Sequence, residues 1–137
     1  MKVFLDANIL VTVLNKEYPL FPYAAKVLSL ADNPNFGVYT SPICLAIAFY
    51  FAEKKSGSDM ARKKISLLAS KIKITTTDQT VVEKTIANKA IKDFEDGLEY
   101  YSAILAQCTC IVTEDADDFF FSTIEVLGTR AFLKKYV

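Results

Sequence analysis

The sequence contains no histidine, no tryptophan, only three cysteines and no net charge of either sign. Each shortage excludes something. Imidazole is the usual general base and nucleophile activator near neutral pH, so Ser-His-Asp and Cys-His chemistries are excluded within this chain. Cys44, Cys108 and Cys110 form an odd count in apolar surroundings without C-x-x-C spacing. They read as reduced core thiols, not as a disulfide framework or a zinc site. No apolar run reaches the roughly 20 residues needed to span a bilayer. Met1 leads straight into a strand pattern with no charged leader or cleavage site, so the expectation is a cytoplasmic protein without a membrane partner. The balance of 16 basic and 16 acidic residues argues against a chain that binds nucleic acid by net charge alone.

What is present is enough for one core: 137 residues, 52% of them hydrophobic, predict a single domain over 1–137. Apolar strand patterns at Val3–Leu5, Gly37–Thr40, Ile72 to the threonines after Ile74, Cys108–Thr113 and around Val126 alternate with helical ones. Ser41-Pro42 starts a helix running to about Lys55, with the cap residue and the N1 proline in their preferred places. Further helices are expected over Ala7–Leu14, from Phe21, over Met60–Ser70 and Gln79–Ala90, and from Asp93 and Thr129. Leu67, Ile86, Phe49, Phe94 and Phe119 are expected to face the core. Strands separated by such helices indicate an α/β fold with a mostly parallel sheet covered on both faces.

Without histidine, hydrolysis falls to carboxylates, with or without a metal. Asp6 stands directly after Val3-Phe4-Leu5, at the end of a strand and the mouth of the core, where a charge needs a cation or donors. Asp115 and Asp118 follow the later buried strand, and open parallel sheets bind ligands beyond the carboxyl ends of their strands. Asp96 lies in the first turn of its helix, where its charge suits the helix dipole. Each acid also has a plainer reading: Asp6 as a helix cap, Asp93 with Asp96 as a capping arrangement, residues 114–118 as a solvated loop. Charges are segregated as well. From Glu53 to Lys73 seven bases meet two acids, and from Glu114 to Glu125 there are five acids and no base. An acidic site beside a basic rim and a solvated helix face explain that pattern equally.

FLDANIL at residues 4–10, DFEDGLEYYSAI at 93–104 and VTEDADDF at 112–119 resemble the three signature segments of the PIN-domain family, in the same order. The resemblance implies an α/β/α sandwich and a Mg²⁺- or Mn²⁺-dependent endoribonuclease. It is closest in kind to the small bacterial VapC-like toxins, which are held inactive by a protein antitoxin and are commonly homodimers. Carried over by position, it makes Asp6, Asp96, Asp115 and Asp118 the catalytic and metal-holding set, with Asn8 and Thr113 as flanking polar groups. Lys54, Lys55, Arg62, Lys63 and Lys64 would then steer RNA backbone.

One family acid is absent. Similar sequences place a glutamate six residues after the serine of the second strand, and here Ser41 is followed by Ile47. Glu53 is a poor replacement, since six residues on it lies about 240° round the helix and roughly 9 Å further along. Glu99, three past Asp96 and on its face, is the better one. Two readings follow: a working ribonuclease, or a catalytically weakened or inactive PIN fold that binds RNA or protein. A third is a phosphatase-like use of Asp6, opposed by Asn8, which stands where a general acid is needed, or a receiver-like use, opposed by the lack of a second acid next to Asp6 and of a well-placed strand-end lysine.

Overall fold

The structure, a computed structural model, describes all of residues 1–137. Its centre is strand β1 (Lys2–Leu5), whose Val3, Phe4 and Leu5 are buried on both faces, as a strand in the middle of a parallel sheet must be. β2 (Gly37–Thr40) and β4 (Cys110–Val112) flank it, and β3 (Lys73–Ile74) and β5 (Glu125–Leu127) form the edges, in the order β3-β2-β1-β4-β5. All four pairings are parallel. The register sets Leu5 opposite Val112, and the ladder continues one step further, with the Asp6 N–H donating to the Val112 carbonyl at 3.1 Å.

Seven helices cover the sheet: α1 (Ala7–Leu14), α2 (Phe21–Ser29), α3 (Pro42–Ser56), α4 (Ser58–Lys71), α5 (Gln79–Ala87), α6 (Phe94–Leu105) and α7 (Thr129–Tyr136). Short 3-10 turns occupy Leu30–Asp32 and Ala116–Phe119. The chain leaves β1 toward β2 and β3, then returns past β1 to β4, and right-handed crossovers in opposite directions place helices on opposite faces. Accordingly α1 packs on α2 and α3, α3 on α4 and α2 on α7, while α5 packs on α6. This is the α/β/α sandwich expected from the alternating pattern. The crevice between β1 and β4, where the winding reverses, is the place such sheets offer to a ligand. No helix is long and apolar enough to cross a membrane.

A 22-residue core runs through the sheet and its covers, and the three cysteines are free and buried as expected. Three core assignments fail. Leu67 is exposed because it lines an open cleft against α1 and α2. Ile86 is exposed because Val81 and Thr85, four apart, form the inward stripe of α5. Phe94, at the first position of α6, projects beyond the helix end into solvent. The α5 helix also stops at Ala87, because the Asn88 side chain accepts from the Ala90 N–H at 3.1 Å and turns the chain out of helical geometry.

Candidate metal centre

Asp6 is both a cap and more than a cap. Its Oδ1 accepts from the Ala7 N–H at 2.6 Å, opening α1, while Oδ2 accepts from Thr113 Oγ1 at 2.8 Å and from Asn8 Nδ2 at 3.4 Å. Asn8 is the hinge pin between the two strand ends. Its Nδ2 also donates to Thr113 Oγ1 at 3.0 Å and to Asp115 Oδ2 at 3.1 Å, and its Oδ1 accepts from the Glu114 N–H at 3.3 Å. Thr113 Oγ1 further accepts from the Asp115 N–H at 3.0 Å. The polar residues after β1 and β4 therefore hold Asp6 and Asp115 at a fixed separation before any ligand arrives. The Glu114 side chain takes no part, since its Oε1 accepts from the Thr129 N–H at the start of α7.

The third element of the arrangement is the helix α6. Asp93 caps it, with Oδ1 accepting from the N–H groups of Glu95 and Asp96 at 2.9 and 3.3 Å. That leaves the Asp96 carboxylate free to face the cavity, so the capping role belongs to Asp93 and not to Asp96. One turn further in, Glu99 is 1% exposed. Its Oε1 accepts from the Cys44 thiol at 2.9 Å. Ligand atoms of Asp6, Cys44 and Glu99 all lie within 4.8 Å of one another, and so do those of Glu95, Asp96 and Glu99. Glu99 is common to both groups and joins the β1 end to α6.

These acids open on a cavity of about 390 Å³ bounded also by Glu17, Asp115, Asp118, Val11, Ile47 and Phe51. Six of its twelve lining residues are acids and none is basic. The crowding shows in the proton affinities. Burial first, then the carboxylates of Asp93, Asp118, Asp6 and Glu95, push Asp96 up to about 7. Glu99 is pushed up to about 11 by burial and by the adjoining Asp6 carboxylate, so it is a neutral acid at pH 7. Desolvation with neighbouring acids also raises Glu95 and Asp118. Cys44 stays a thiol, because burial first and then the neighbouring carboxyls of Glu99 and Asp6 disfavour the thiolate. A hard divalent cation needs oxygen ligands of this kind and would relieve the repulsion, so the residues fit one.

Of the residues singled out from the sequence, Asp6, Asn8, Asp96, Asp115 and Asp118 line this cavity, with Thr113 and Glu99 directly behind it. Ile47 lines it too, at the place where a family acid was expected. The basic group does not reach it. Lys55 bonds to the Asn15 carbonyl, and Lys64 to the Leu14 carbonyl at 2.9 Å, so both ammonium groups close the C-terminal end of α1. Lys54 lies over the Tyr50 ring, and Arg62 and Lys63 border a separate hollow along α4. Glu95, Glu17 and Cys44 were missed. Cys44 had a usable signal: it stands three residues before Ile47 and so shares its helix face.

The family model described as PIN domain matches residues 2–117. The chain belongs to the PIN-domain family. Among relatives of this PIN domain, the protein named Ribonuclease VapC1 of Aquifex aeolicus is 27% identical over 139 residues, 98% of this chain and 95% of that one. Solved structures share the fold. VapBC-1 of nontypeable Haemophilus influenzae superposes with a TM-score of 0.72 at 19% identity, over 95% of this chain and 99% of the other. VapBC2 of Rickettsia felis, solved bound to a DNA fragment from its promoter, gives 0.70 at 21% identity over 93% and 97%. VapC20 of Mycobacterium tuberculosis, described as a sarcin-ricin loop cleaving toxin, gives 0.70 at 15% identity over 90% and 98%.

Proposed function

We propose that this PIN domain is a divalent-metal-dependent endoribonuclease, the toxin of a toxin–antitoxin pair. The observation that carries the reading is the cavity at the β1–β4 switch point, walled by six carboxylates without one basic residue. Such a concentration of like charge is costly unless a cation belongs there. Asp6, Asp96, Asp115 and Asp118 would hold Mg²⁺ or Mn²⁺, with Glu99 supplying from α6 the charge that α3 lacks at Ile47. When bound, the metal supplies Lewis-acid polarisation of a phosphodiester and activation of water at neutral pH.

The chain's own residues do the placing. Thr113 and the Ala7 N–H orient the Asp6 carboxylate, and Asn8 orients Asp115. Val11, Ile47 and Phe51 form the apolar side of the cavity. The relatives named above support RNA as substrate and a protein antitoxin as partner. The open apolar cleft between α1, α2 and α4, rimmed by Lys16, Lys64, Lys71 and Asp32, suits a partner segment with an apolar face. Tyr50 and Phe51, exposed on α3, are where a homodimer would form, and sedimentation reads that state directly.

Asp6→Asn tests the enzyme reading, because it keeps the Oδ1 acceptor for Ala7 while removing the charge. Manganese-dependent cleavage of RNA should fall at least about 100-fold with the circular dichroism spectrum unchanged. Undiminished cleavage would overturn the proposal. Ile47 in the cavity wall favours a second reading, a PIN fold that binds RNA or protein without cutting. Retention of RNA without cleavage at any Mn²⁺ concentration would select it.

A further inference from the structure

Beside the carboxylate cavity lies a smaller one of about 220 Å³, lined by Lys92, Asp93, Asp96, Asp117, Asp118 and Phe120. The two share Asp96 and Asp118 as a common wall. Lys92 is the one cation lining either of them. Phe120 is 60% exposed, an unfavourable place for a large apolar ring unless something covers it. Its orientation is nonetheless fixed from behind. Phe120 meets Phe121 edge-on at 5.5 Å, and Phe121 meets Tyr100 edge-on at 5.1 Å. Tyr100 is buried, and its hydroxyl bonds to Thr123 Oγ1 at 2.8 Å. A row of rings anchored in the core thus holds an aromatic face outward at the edge of the site, with the Lys92 ammonium 5.8 Å from the ring centroid.

We propose that this second cavity is a nucleobase subsite. Phe120 stacks the base of the nucleotide next to the phosphate that a cation on Asp96 and Asp118 would hold, and Lys92 pairs with the backbone. The proposal rests on the RNA reading given above and adds the place where the strand lies. Stacking on a pre-oriented ring requires a splayed, single-stranded base. Asp93 and Asp117 beside the ring accept hydrogen bonds from base N–H groups but repel phosphate, so the backbone must run on the Lys92 side.

The test uses the full chain and short single-stranded RNAs carrying 2-aminopurine at each position in turn, with Ca²⁺ replacing Mn²⁺ to slow turnover. Fluorescence should be quenched at one position and not along the whole strand. Phe120→Ala should abolish that quenching and raise KM for RNA about tenfold, and Phe120→Trp should restore both. Lys92→Gln should weaken binding of all sequences alike and reduce the salt dependence by about one charge. If wild type cleaves RNA while Phe120→Ala retains the quenching and the KM, the subsite is wrong and the ribonuclease reading stands. Quenching without cleavage supports the subsite and removes catalysis. Failure of wild type to bind RNA overturns both.

Discussion

At the scale of single residues, the position that distinguishes this site is Glu99. It is a neutral acid enclosed between a thiol and the Asp6 carboxylate, so the metal-free site carries one negative charge fewer, and a cation entering it would draw that proton off. Glu99→Gln preserves size and neutrality. Thermal stability without metal should therefore stay within about 2 °C of wild type below about pH 4, where Glu99 is protonated folded and unfolded alike, and exceed it at pH 7, where Glu99 must take up a proton to fold, whereas Mn²⁺ affinity measured by calorimetry should fall at least about tenfold. Equal affinity would show that Glu99 is packing alone. The converse change is Ile47→Glu, which returns an acid to the α3 wall of the cavity. It should tighten Mn²⁺ binding and lower the stability of the metal-free protein, since it adds a charge to a place already crowded with them.

Among the elements, α6 has to approach closely enough for Asp96 and Glu99 to face Asp6, and Gly97 between them allows it. A Cβ at that position would lie 2.4 Å from Thr85 Cγ2 and 2.9 Å from Ile91 Cγ2, so the helix can sit against α5 only without one. Gly97→Ala should cost about 1–3 kcal/mol in urea denaturation. It should also weaken metal binding by displacing both flanking acids, a coupling that a purely local packing defect would not produce. The closing of α1 by Lys55 and Lys64 belongs to the same scale. The helix that Asp6 opens is tied at its far end to α3 and α4, which explains basic residues that the charge pattern had offered as an RNA rim.

For the whole molecule, the gathered acids couple folding to pH. Asp96 rises from 3.8 to about 7 on folding, and Glu95, Asp118 and Glu99 shift the same way. The folded state then holds protons that the unfolded chain releases, so stability falls as pH rises from about 4 through about 7, where Asp96 ionises, and goes on falling toward about 11 while Glu99 keeps its proton. A bound cation would remove that penalty. The rise in Tm caused by Mn²⁺ should be small near pH 5.5 and larger near pH 8, roughly following the deprotonation of Asp96, and Asp96→Asn should flatten the dependence. A Mn²⁺ effect independent of pH would mean that the ion binds elsewhere.

Much of this molecule follows from local sequence. Alternating apolar runs and caps determine the strands and helices, since burial of one face and satisfaction of helix ends are short-range demands. The strand-end rule then places Asp6 and Asp115 at one edge, and the three matching segments name the acids. Tertiary structure alone decided the rest. Which of two neighbouring acids caps a helix and which faces a cavity, as with Asp93 and Asp96, depends on which carboxylate the first-turn N–H groups reach, and both Glu95 and Asp96 donate to Asp93. The neutral state of Glu99, the thiol of Cys44 beside it and the outward ring of Phe120 depend on burial and on neighbours distant in sequence. Burial and electrostatic repulsion act through space, and no local pattern records them until the chain has folded.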